Sequence, residues 1–302
     1  MSTVLTGTIA HALKETLDEI IDDDTDGVES KAVFTKWCKI KSMEDNYEDD
    51  LETGGPGLAS EKAESASLAT GTIRQGYLTR YLARTFGLKL IISQEALEDR
   101  KYPKVINAAR RLKRAMWKTA DIDATNMLVR MFNSAYVGGD GLCLGNASHT
   151  LPNLGTFSNI MGTPLSPSRT AVIQARTAVG RMPGHDGVTE GYELETVVCP
   201  LDQWAVWDGL INSTKAPEAG QFNEINVVNR LGLKVVPIKY WSNTTTNWAV
   251  ITDAENGPQF RWRVRPESSS WYENNNTVMM YGTRARWSRG WSDPRGIFCV
   301  NA

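Results

Sequence analysis

The sequence has few residues of the kinds that build catalytic or metal centres. It contains three histidines and four cysteines in 302 residues, and no two cysteines form a CxxC pair. Zinc sites need closely spaced Cys or His ligands, so no metal site is predicted. Glycine-rich phosphate loops and the GxSxG turn of hydrolases are also missing. We therefore expect no catalytic residue, no metal and no cofactor.

Long hydrophobic runs are missing as well. No apolar stretch approaches the roughly 18 residues of a membrane-spanning helix, and the first residues lack the pattern of a signal peptide. Hydrophobic content of 41% and charged content of 23% are those of a folded protein. We expect a protein that contacts no membrane and folds in the cytoplasm. Its cysteines are then predicted to be free, mostly buried thiols: Cys38, Cys143, Cys199 and Cys299.

Charge is present but segregated along the chain. The formal net charge is only -2, yet residues 1 to 70 contain 16 acidic and 6 basic side chains. Residues 71 to 137 contain 13 basic and 5 acidic side chains. This asymmetry indicates charged partners, although a single charge run is more often a solvated surface.

Hydrophobic spacing in the first half predicts helices separated by a projecting hairpin. Apolar residues three and four apart predict an amphipathic helix over 3–21 and a long helix over 103–136. Strands are predicted at 34–42 and 76–93, on either side of a polar stretch of about thirty residues. The polar stretch has almost no large apolar side chains, so we expect a long hairpin whose tip adds nothing to a core.

The second half predicts a mixture of helices and strands. A loop over 138–166 precedes helices at 166–182 and 202–212, with a buried strand at 195–201 between them. Five strand patterns follow toward the C-terminus. Together the two halves predict an α+β fold.

Two local patterns have functional and structural interpretations. Asp22, Asp24, Asp26 and Gly27 match the opening of a calcium loop, but its twelfth position is Val33 instead of Glu, so a solvated turn is predicted. Arginines alternate with apolar residues in QFRWRVR and RARW, which predicts a basic sheet face that binds phosphates or carboxylates, or equally forms ion pairs within the sheet. Its members are Arg261, Arg263, Arg265, Arg284 and Arg286.

The order of these parts, together with two short motifs, resembles a known family. One motif is Asp140-Gly141-Leu142 with His149, and the other is the segment WSDPRG over 291–296. The chain is similar in these features to tailed-bacteriophage major capsid proteins of the Hong Kong 97 fold, in particular to Mu-like major head subunits. The resemblance implies an N-terminal arm over 1–40 and an E-loop over 41–88. It further implies a P-domain over 89–161 and 265–295, and an A-domain over 162–264 and 296–302.

The resemblance also implies a function. Members form hexamers and pentamers that close into an icosahedral shell around double-stranded DNA, so the implied location is the virion, assembled in the bacterial cytoplasm. Implied partners are further copies of the chain, packaged DNA on the inner face, and portal, scaffolding or decoration proteins. The alternative is an encapsulin-like nanocompartment of the same fold. An enzyme or a nucleic-acid-binding module is disfavoured because no catalytic constellation is present.

Charge segregation suggests how neighbouring subunits pair. In this fold the E-loop of one subunit lies over the P-domain of its neighbour. We hypothesise that an acidic set and a basic set pair across that boundary, the rival being that the basic helix meets DNA. The acidic set is Glu44, Asp45, Glu48, Asp49, Asp50 and Glu52. The basic set is Arg100, Lys101, Lys104, Arg110, Arg111, Lys113, Arg114 and Lys118.

Overall fold

The computed structural model describes residues 29, 31–93, 102–152, 155–215, 225–241, 247–273 and 278–301. The α-helices in these segments are α1 (Tyr102–Val129), α2 (Arg169–Gly180) and α3 (Trp204–Asn212). The strands of the first half are β1 (Lys39–Ser42), β2 (Tyr47–Thr53), β3 (Gln75–Leu82), β4 (Arg84–Ser93), β5 (His149–Leu151) and β6 (Gly155–Phe157). Those of the second half are β7 (Leu194–Pro200), β8 (Lys234–Ile238), β9 (Trp248–Thr252), β10 (Pro258–Glu273), β11 (Val278–Trp291) and β12 (Ile297–Val300).

The first sheet has the strand order β1-β10-β11-β4, and α1 covers one of its faces. Phe260, Trp262 and Trp287 project from the sheet into a core shared with the helix. Trp117 of α1 meets Trp262 edge to face, with ring centroids 5.5 Å apart. Side chains alternate along a strand, so Arg261, between Phe260 and Trp262, points to the opposite face.

Helix α1 buries the apolar stripe that the sequence predicts, including Ala109, Ala120 and Ala124, which let the helix approach the sheet closely. Pro103 lies in the first turn, where its missing N–H is not needed. The predicted end at 136 is wrong, because the helix ends at Val129. The chain then continues as hydrogen-bonded turns. These turns keep Met131 buried on the same side, so the apolar spacing continues beyond the helix.

The second sheet has the order β12-β9-β7-β8 and is buried on both faces. One face packs in the core with α1, and the other packs against α2 and α3. In β9, for example, Ala249 and Ile251 face the first core whereas Trp248 and Val250 face the second. Two buried faces explain the continuous apolar runs in these strands. The predicted helices at 166–182 and 202–212 and the predicted strand at 195–201 are confirmed, with Ser168 as the N-cap of α2.

The projecting hairpin is present, but its strands differ from those predicted. Strands β2 and β3 pair antiparallel, and residues 54–74 connect them. Thus β2 lies within the polar stretch that was predicted to be loop. The predicted strand over 76–93 divides at Ala83 into β3 and β4, which belong to different sheets.

The predicted strand over 34–42 is wrong in its first half. Phe34–Lys36 form a 3-10 turn, and only Lys39–Ser42 are extended, parallel to β10. The Phe34 N–H donates to Asp121 Oδ1 at 2.9 Å, which anchors the turn on α1. The α+β class is confirmed. The predicted helix over 3–21 and the acidic turn over 22–27 lie outside the described residues.

The four cysteines are free and buried, as predicted. Burial raises the pKa of the Cys38 thiol, and it raises that of Cys199 to about 12. The described part of the chain contains no helix that has both the length and the apolar character needed to span a membrane.

Candidate functional site

The base of the hairpin is attached to the body of the molecule through the polar side chains of β2. Glu48, Asp50 and Glu52 are two residues apart, so all three project from the same side of the strand. This inward side is partly or fully buried, whereas the side with Tyr47 and Leu51 is exposed. A strand whose inward side is acidic needs cations beneath it, because buried carboxylates are costly without partners.

Arg261 supplies the first cation. Its guanidinium donates to Glu48 Oε2 at 2.9 Å and to Asp50, and Gln259 Oε1 accepts from its Nε at 3.0 Å. The Tyr81 ring of β3 lies 3.9 Å from the guanidinium carbon, a cation–π contact. Arg261 is therefore enclosed by both strands of the hairpin.

A hydrogen-bonded chain extends this Arg261 cluster to the C-terminal segment. The Ser292 hydroxyl donates to Asp50 Oδ2 at 2.7 Å, so the Tyr81 hydroxyl must donate to Ser292 Oγ, 2.8 Å away. Burial raises the pKa of Tyr81 to about 12, which keeps this hydroxyl protonated. The hairpin is thus bonded to the sheet and to residue 292 at once.

Arg295 supplies the second cation and is fully buried. Its Nη1 lies 3.1 Å from Glu52 Oε1, 3.0 Å from Asp293 Oδ2 and 2.9 Å from His185 Nε2. The guanidinium also stacks over Phe157, with 4.9 Å to the ring centroid. Burial raises the pKa of Asp293, and the Arg295 charge opposes that shift. This Arg295 cluster joins the hairpin, the turn at His185 and the C-terminal segment.

The Arg295 cluster has the donor set of a cation site. Glu52, His185 and Asp293 each place one ligand atom within 4.8 Å of the others. Nη1 of Arg295 lies about equally far from all three, where a metal ion would have to sit. The guanidinium is therefore the cation of this site, and all three side chains contact it.

Close backbone contact at the same place requires glycine. A Cβ added to Gly54, just after β2, would lie 2.3 Å from the Cβ of His185. No side chain can be accommodated at that distance. The hairpin thus lies directly against the turn that carries His185.

The outward side of the hairpin is apolar and exposed. Tyr47 pairs with Leu82 and Leu51 pairs with Leu78 across the two strands, and all four side chains are exposed. Between these pairs, Arg80 forms a bidentate ion pair with Asp49, with both contacts at 2.6 Å. The connecting loop adds Leu58, Leu68 and Ile73, which are 66 to 79% exposed. Several exposed apolar side chains grouped on one side of a hairpin are typical of a protein interface.

The exposed face of α1 is basic. Lys104, Arg111, Arg114 and Lys118 are spaced by seven, three and four residues, so they lie along one face of the helix. At about 1.5 Å per residue this row is about 21 Å long. Lys113 differs from its neighbours because only 4% of it is exposed.

Comparison with known proteins identifies the family to which this chain belongs. A family model described as phage capsid protein matches residues 77–300, most of the chain. The chain belongs to this family. It is a capsid shell protein and a structural component of the bacteriophage head, with the Hong Kong 97 fold that the resemblance implied. No curated protein matches the sequence.

Solved structures share the fold of this capsid protein at low sequence identity. The capsid of an empty GTA particle is 16% identical, with a TM-score of 0.53 over 89% of each chain. A virus-like particle from Pyrococcus furiosus is 10% identical, with a TM-score of 0.54 over 95% of this chain and 98% of the other. The capsid of Cyanophage P-SCSP1u is 9% identical, with a TM-score of 0.56 over 90% of this chain and 88% of the other.

The residues predicted to pair across subunits fall into two groups in the capsid protein. Glu48, Asp49, Asp50 and Glu52 contact arginines of their own chain. Glu44 and Asp45 are exposed, and within the described residues their carboxylates form no ion pair. The hypothesis of pairing between subunits therefore narrows to the second group. Of the basic set, Lys113 is buried, and Arg100 and Lys101 lie outside the described residues.

The predicted basic sheet face is largely neutralised within the chain. Arg261 contacts the acids of β2, Arg265 pairs with Glu29 at 2.6 Å, and Arg284 pairs with Glu267 at 2.5 Å. Arg286 donates to an amide oxygen, Asn46 Oδ1, at 2.6 Å. Shifts of register around Val264 also interrupt the predicted alternation near Arg263. These contacts favour the interpretation that the arginines form ion pairs within the chain.

The family motifs are parts of the framework. His149 is buried, with Nδ1 2.5 Å from Asp140 Oδ2 and Nε2 3.2 Å from the carbonyl oxygen of Leu144. The ring thus contacts Asp140 with one nitrogen and Leu144 with the other, which closes the loop between them. The other motif provides Ser292, Asp293 and Arg295 to the hairpin base.

Sequence reasoning missed the two arginine clusters. The available signal was the spacing of Glu48, Asp50 and Glu52, which is typical of one face of a strand. Few large apolar residues surround these three acids. Because such a polar composition favours a loop, it concealed the strand spacing.

Proposed function

We propose that this capsid protein assembles as hexamers and pentamers into a closed icosahedral shell that encloses double-stranded DNA. The observation that carries the proposal is the exposed apolar side of the hairpin, formed by Tyr47, Leu51, Leu78 and Leu82. The hairpin base is fixed by buried arginines, while the opposite side presents apolar surface to solvent. A rigidly attached surface of this kind suits contact with another copy of the chain.

Electron microscopy of the expressed protein tests the proposal. We expect the expressed protein to form closed particles with fivefold and sixfold clusters of subunits. For particles purified from infected cells, we expect an absorbance ratio that indicates nucleic acid. Leu51→Asp with Leu78→Asp should prevent assembly while leaving a folded subunit, because charged groups would enter the interface. Val206→Asp, at an exposed position on α3, is the matched control. A soluble protein that forms no particles under any condition would refute the proposal.

A protein nanocompartment is the second candidate. It would have the same fold, which a virus-like particle shares over 95% of this chain. The same microscopy separates the two candidates. Particles that contain protein cargo and no DNA would support the compartment and contradict the proposed enclosure of DNA.

We propose further that exposed charges steer neighbouring subunits together. The acids are Glu44 and Asp45 beside the hairpin, and the cations are Lys104, Arg110 and Arg111 on α1. Exposed ion pairs contribute only about 0 to 1 kcal/mol each, but a shell repeats each pair many times. Pairs of this kind are also screened by salt, so assembly should slow as ionic strength rises.

A charge swap tests this pairing. Arg110→Glu with Arg111→Glu should block shell closure, and Glu44→Lys with Asp45→Lys should do the same. Combining all four changes should restore closure, because each charge again meets its opposite. Normal closure of the singly reversed variants with reduced DNA content would show that the helix contacts DNA instead. Portal, scaffolding and decoration proteins are expected as further partners of the assembled shell.

A further inference from the structure

A groove of about 340 Å³ lies where the hairpin, the end of α1 and the end of β11 meet. Strand β3 contributes Arg80, the start of β4 contributes Arg84, and Arg130 lies in the turns that follow α1. Strand β11 contributes Arg289 and Trp291. Because Arg80 and Trp291 are more than 200 residues apart, no local sequence pattern indicates the groove.

Two of the four arginines that line this groove are neutralised within the chain. Arg80 forms the bidentate ion pair with Asp49, and the Nε of Arg289 lies 2.9 Å from Asp123 Oδ1. The other oxygen of Asp123 accepts the Trp287 indole N–H, so both of its oxygens are engaged. These two ion pairs fix the walls of the groove and add no excess charge to it.

The other two arginines have no acidic partner. Within the described residues, Arg84 and Arg130 form no ion pair, and no acidic side chain lines the groove. Arg130 is partly buried, and its guanidinium carbon lies 4.3 Å from the centroid of the Tyr136 ring, a cation–π contact that holds it in place. Two positive charges thus remain in the groove, and they attract anions.

The surroundings of the groove favour a protein ligand. Carboxylates and phosphates both match the fork of a guanidinium group. However, Arg80 lies between Leu78 and Leu82, whose exposed side chains form part of the apolar side of the hairpin. Val137, which also lines the groove, is 53% exposed. A protein segment can offer both carboxylates and apolar side chains to such a surface, whereas a nucleic-acid backbone offers only phosphates and sugars.

One segment of the chain has the matching chemistry. Residues 15–28 contain seven acidic side chains and no basic one. Four of the acids fall within five residues: Asp22, Asp23, Asp24 and Asp26. The apolar residues Ile20 and Ile21 directly precede them. This segment lies outside the described residues. The buried acids of β2, by contrast, already contact arginines of their own chain.

We propose that residues 15–28 of a neighbouring copy bind in this groove, with the carboxylates of residues 22–26 at Arg84 and Arg130. The inference rests on the proposed function, because the groove adjoins the apolar side of the hairpin, which is proposed to contact another copy. That copy supplies the acidic segment. The groove of one subunit meets a different surface of the next, and such heterologous contacts generate rings when they close. The contact thus joins an acidic and a basic part of the sequence across a subunit boundary.

Binding of a labelled peptide of residues 15–28 tests the inference by fluorescence anisotropy. The receptor is the unassembled full-length subunit, in which the acidic segment is neutralised so that it does not compete; its changes are Asp22→Asn, Asp23→Asn, Asp24→Asn and Asp26→Asn. Adding Arg84→Gln with Arg130→Gln to this receptor should weaken binding about tenfold, because both ion pairs with the peptide are lost. The matched control adds Arg176→Gln with Arg181→Gln, which changes two exposed arginines at α2 and should leave the affinity unchanged.

A conservative variant excludes a folding defect. Arg84→Lys with Arg130→Lys keeps both charges and should retain most of the peptide binding. Equal peptide affinity for the Gln variant and its control would overturn the inference. So would binding of labelled duplex DNA that only the Gln variant loses, because the two arginines would then be assigned to nucleic acid.

Two comparisons separate a neighbour from the same chain and the groove from the shell. If the wild-type receptor, while monomeric, bound the peptide at least about tenfold more weakly than the neutralised receptor, the segment would occupy the groove of its own chain and the assignment to a neighbour would be wrong. Shell formation is scored separately by microscopy. Peptide binding without particles would refute the proposed function and support the groove, whereas particles without peptide binding would do the reverse.

Discussion

Charges beneath the hairpin and charges on α1 are neutralised in different ways. Arg261 and Arg295 are 5% and 0% exposed, and both contact carboxylates of their own chain. Lys104, Arg110 and Arg111 are exposed and, within the described residues, form no ion pair. A buried charge must have its partner in the same chain, because its desolvation cost arises as soon as the subunit folds. An exposed charge is solvated by water until a partner arrives.

The comparison separates folding from assembly. The arginine clusters fix the hairpin to the body before any neighbour is present. The exposed cations remain available for contacts that form only in the shell or with DNA. Substitutions in the two groups should therefore affect different measurements.

Arg295→Met should have the largest effect on the folded subunit. It leaves Glu52 and Asp293 buried without their cation, so the free energy of unfolding should fall by about 3 to 5 kcal/mol. Urea denaturation of the unassembled subunit measures this loss. The triple variant Glu52→Gln, Asp293→Asn, Arg295→Met removes all the charges and should recover a large part of it. A loss below about 1 kcal/mol for the single variant would contradict the role assigned to Arg295.

Tyr81→Phe should have an intermediate effect. It removes the hydroxyl that donates to Ser292 Oγ but keeps the ring over Arg261, so a loss of about 1 kcal/mol is expected. Tyr77→Phe is the matched control, because the Tyr77 hydroxyl bonds Thr150 Oγ1 at an exposed position. Thermal unfolding of both variants compares their losses of stability. If the control lost as much stability as Tyr81→Phe, burial of the hydrogen bond would not be the cause.

Asp121→Asn should have a smaller effect that depends on pH. Asn keeps an oxygen for the Phe34 N–H but has no charge to desolvate. Because burial raises the pKa of Asp121 in the folded state, the wild type loses stability as pH rises above the usual Asp range, and the Asn variant does not. The variant should gain stability relative to the wild type over that pH window. A relative gain that shrinks as pH rises would have the wrong sign.

Arg284→Gln should have the smallest effect. Arg284 and Glu267 pair across two strands, but both side chains are about half exposed, so the loss should be below about 1 kcal/mol. Salt screens exposed pairs, and the difference from the wild type should vanish near 1 M ionic strength, where the Debye length is about 3 Å. Unfolding at low and at high salt measures the loss of stability and its dependence on ionic strength. A large loss that persists in salt would place this pair with the buried clusters.

Apolar periodicity predicted much of the fold. Helices α2 and α3, strand β7 and most of α1 follow from the spacing of apolar residues, because one buried face imposes that spacing directly. Strand β2 was missed for the opposite reason. Its buried side consists of Glu48, Asp50 and Glu52, and no rule based on hydrophobicity recognises a strand whose inward side is acidic.

The sequence by itself determined the α+β class, the family resemblance and the segregation of charge, since these depend on spacing and order along the chain. Tertiary structure alone decided which charges are neutralised within the subunit. Glu52 meets Arg295 and Glu48 meets Arg261, across more than 200 residues in each case. The contribution of a charged side chain to the free energy of folding depends on its solvation and on its neighbours in space. Both are set only when distant segments pack together.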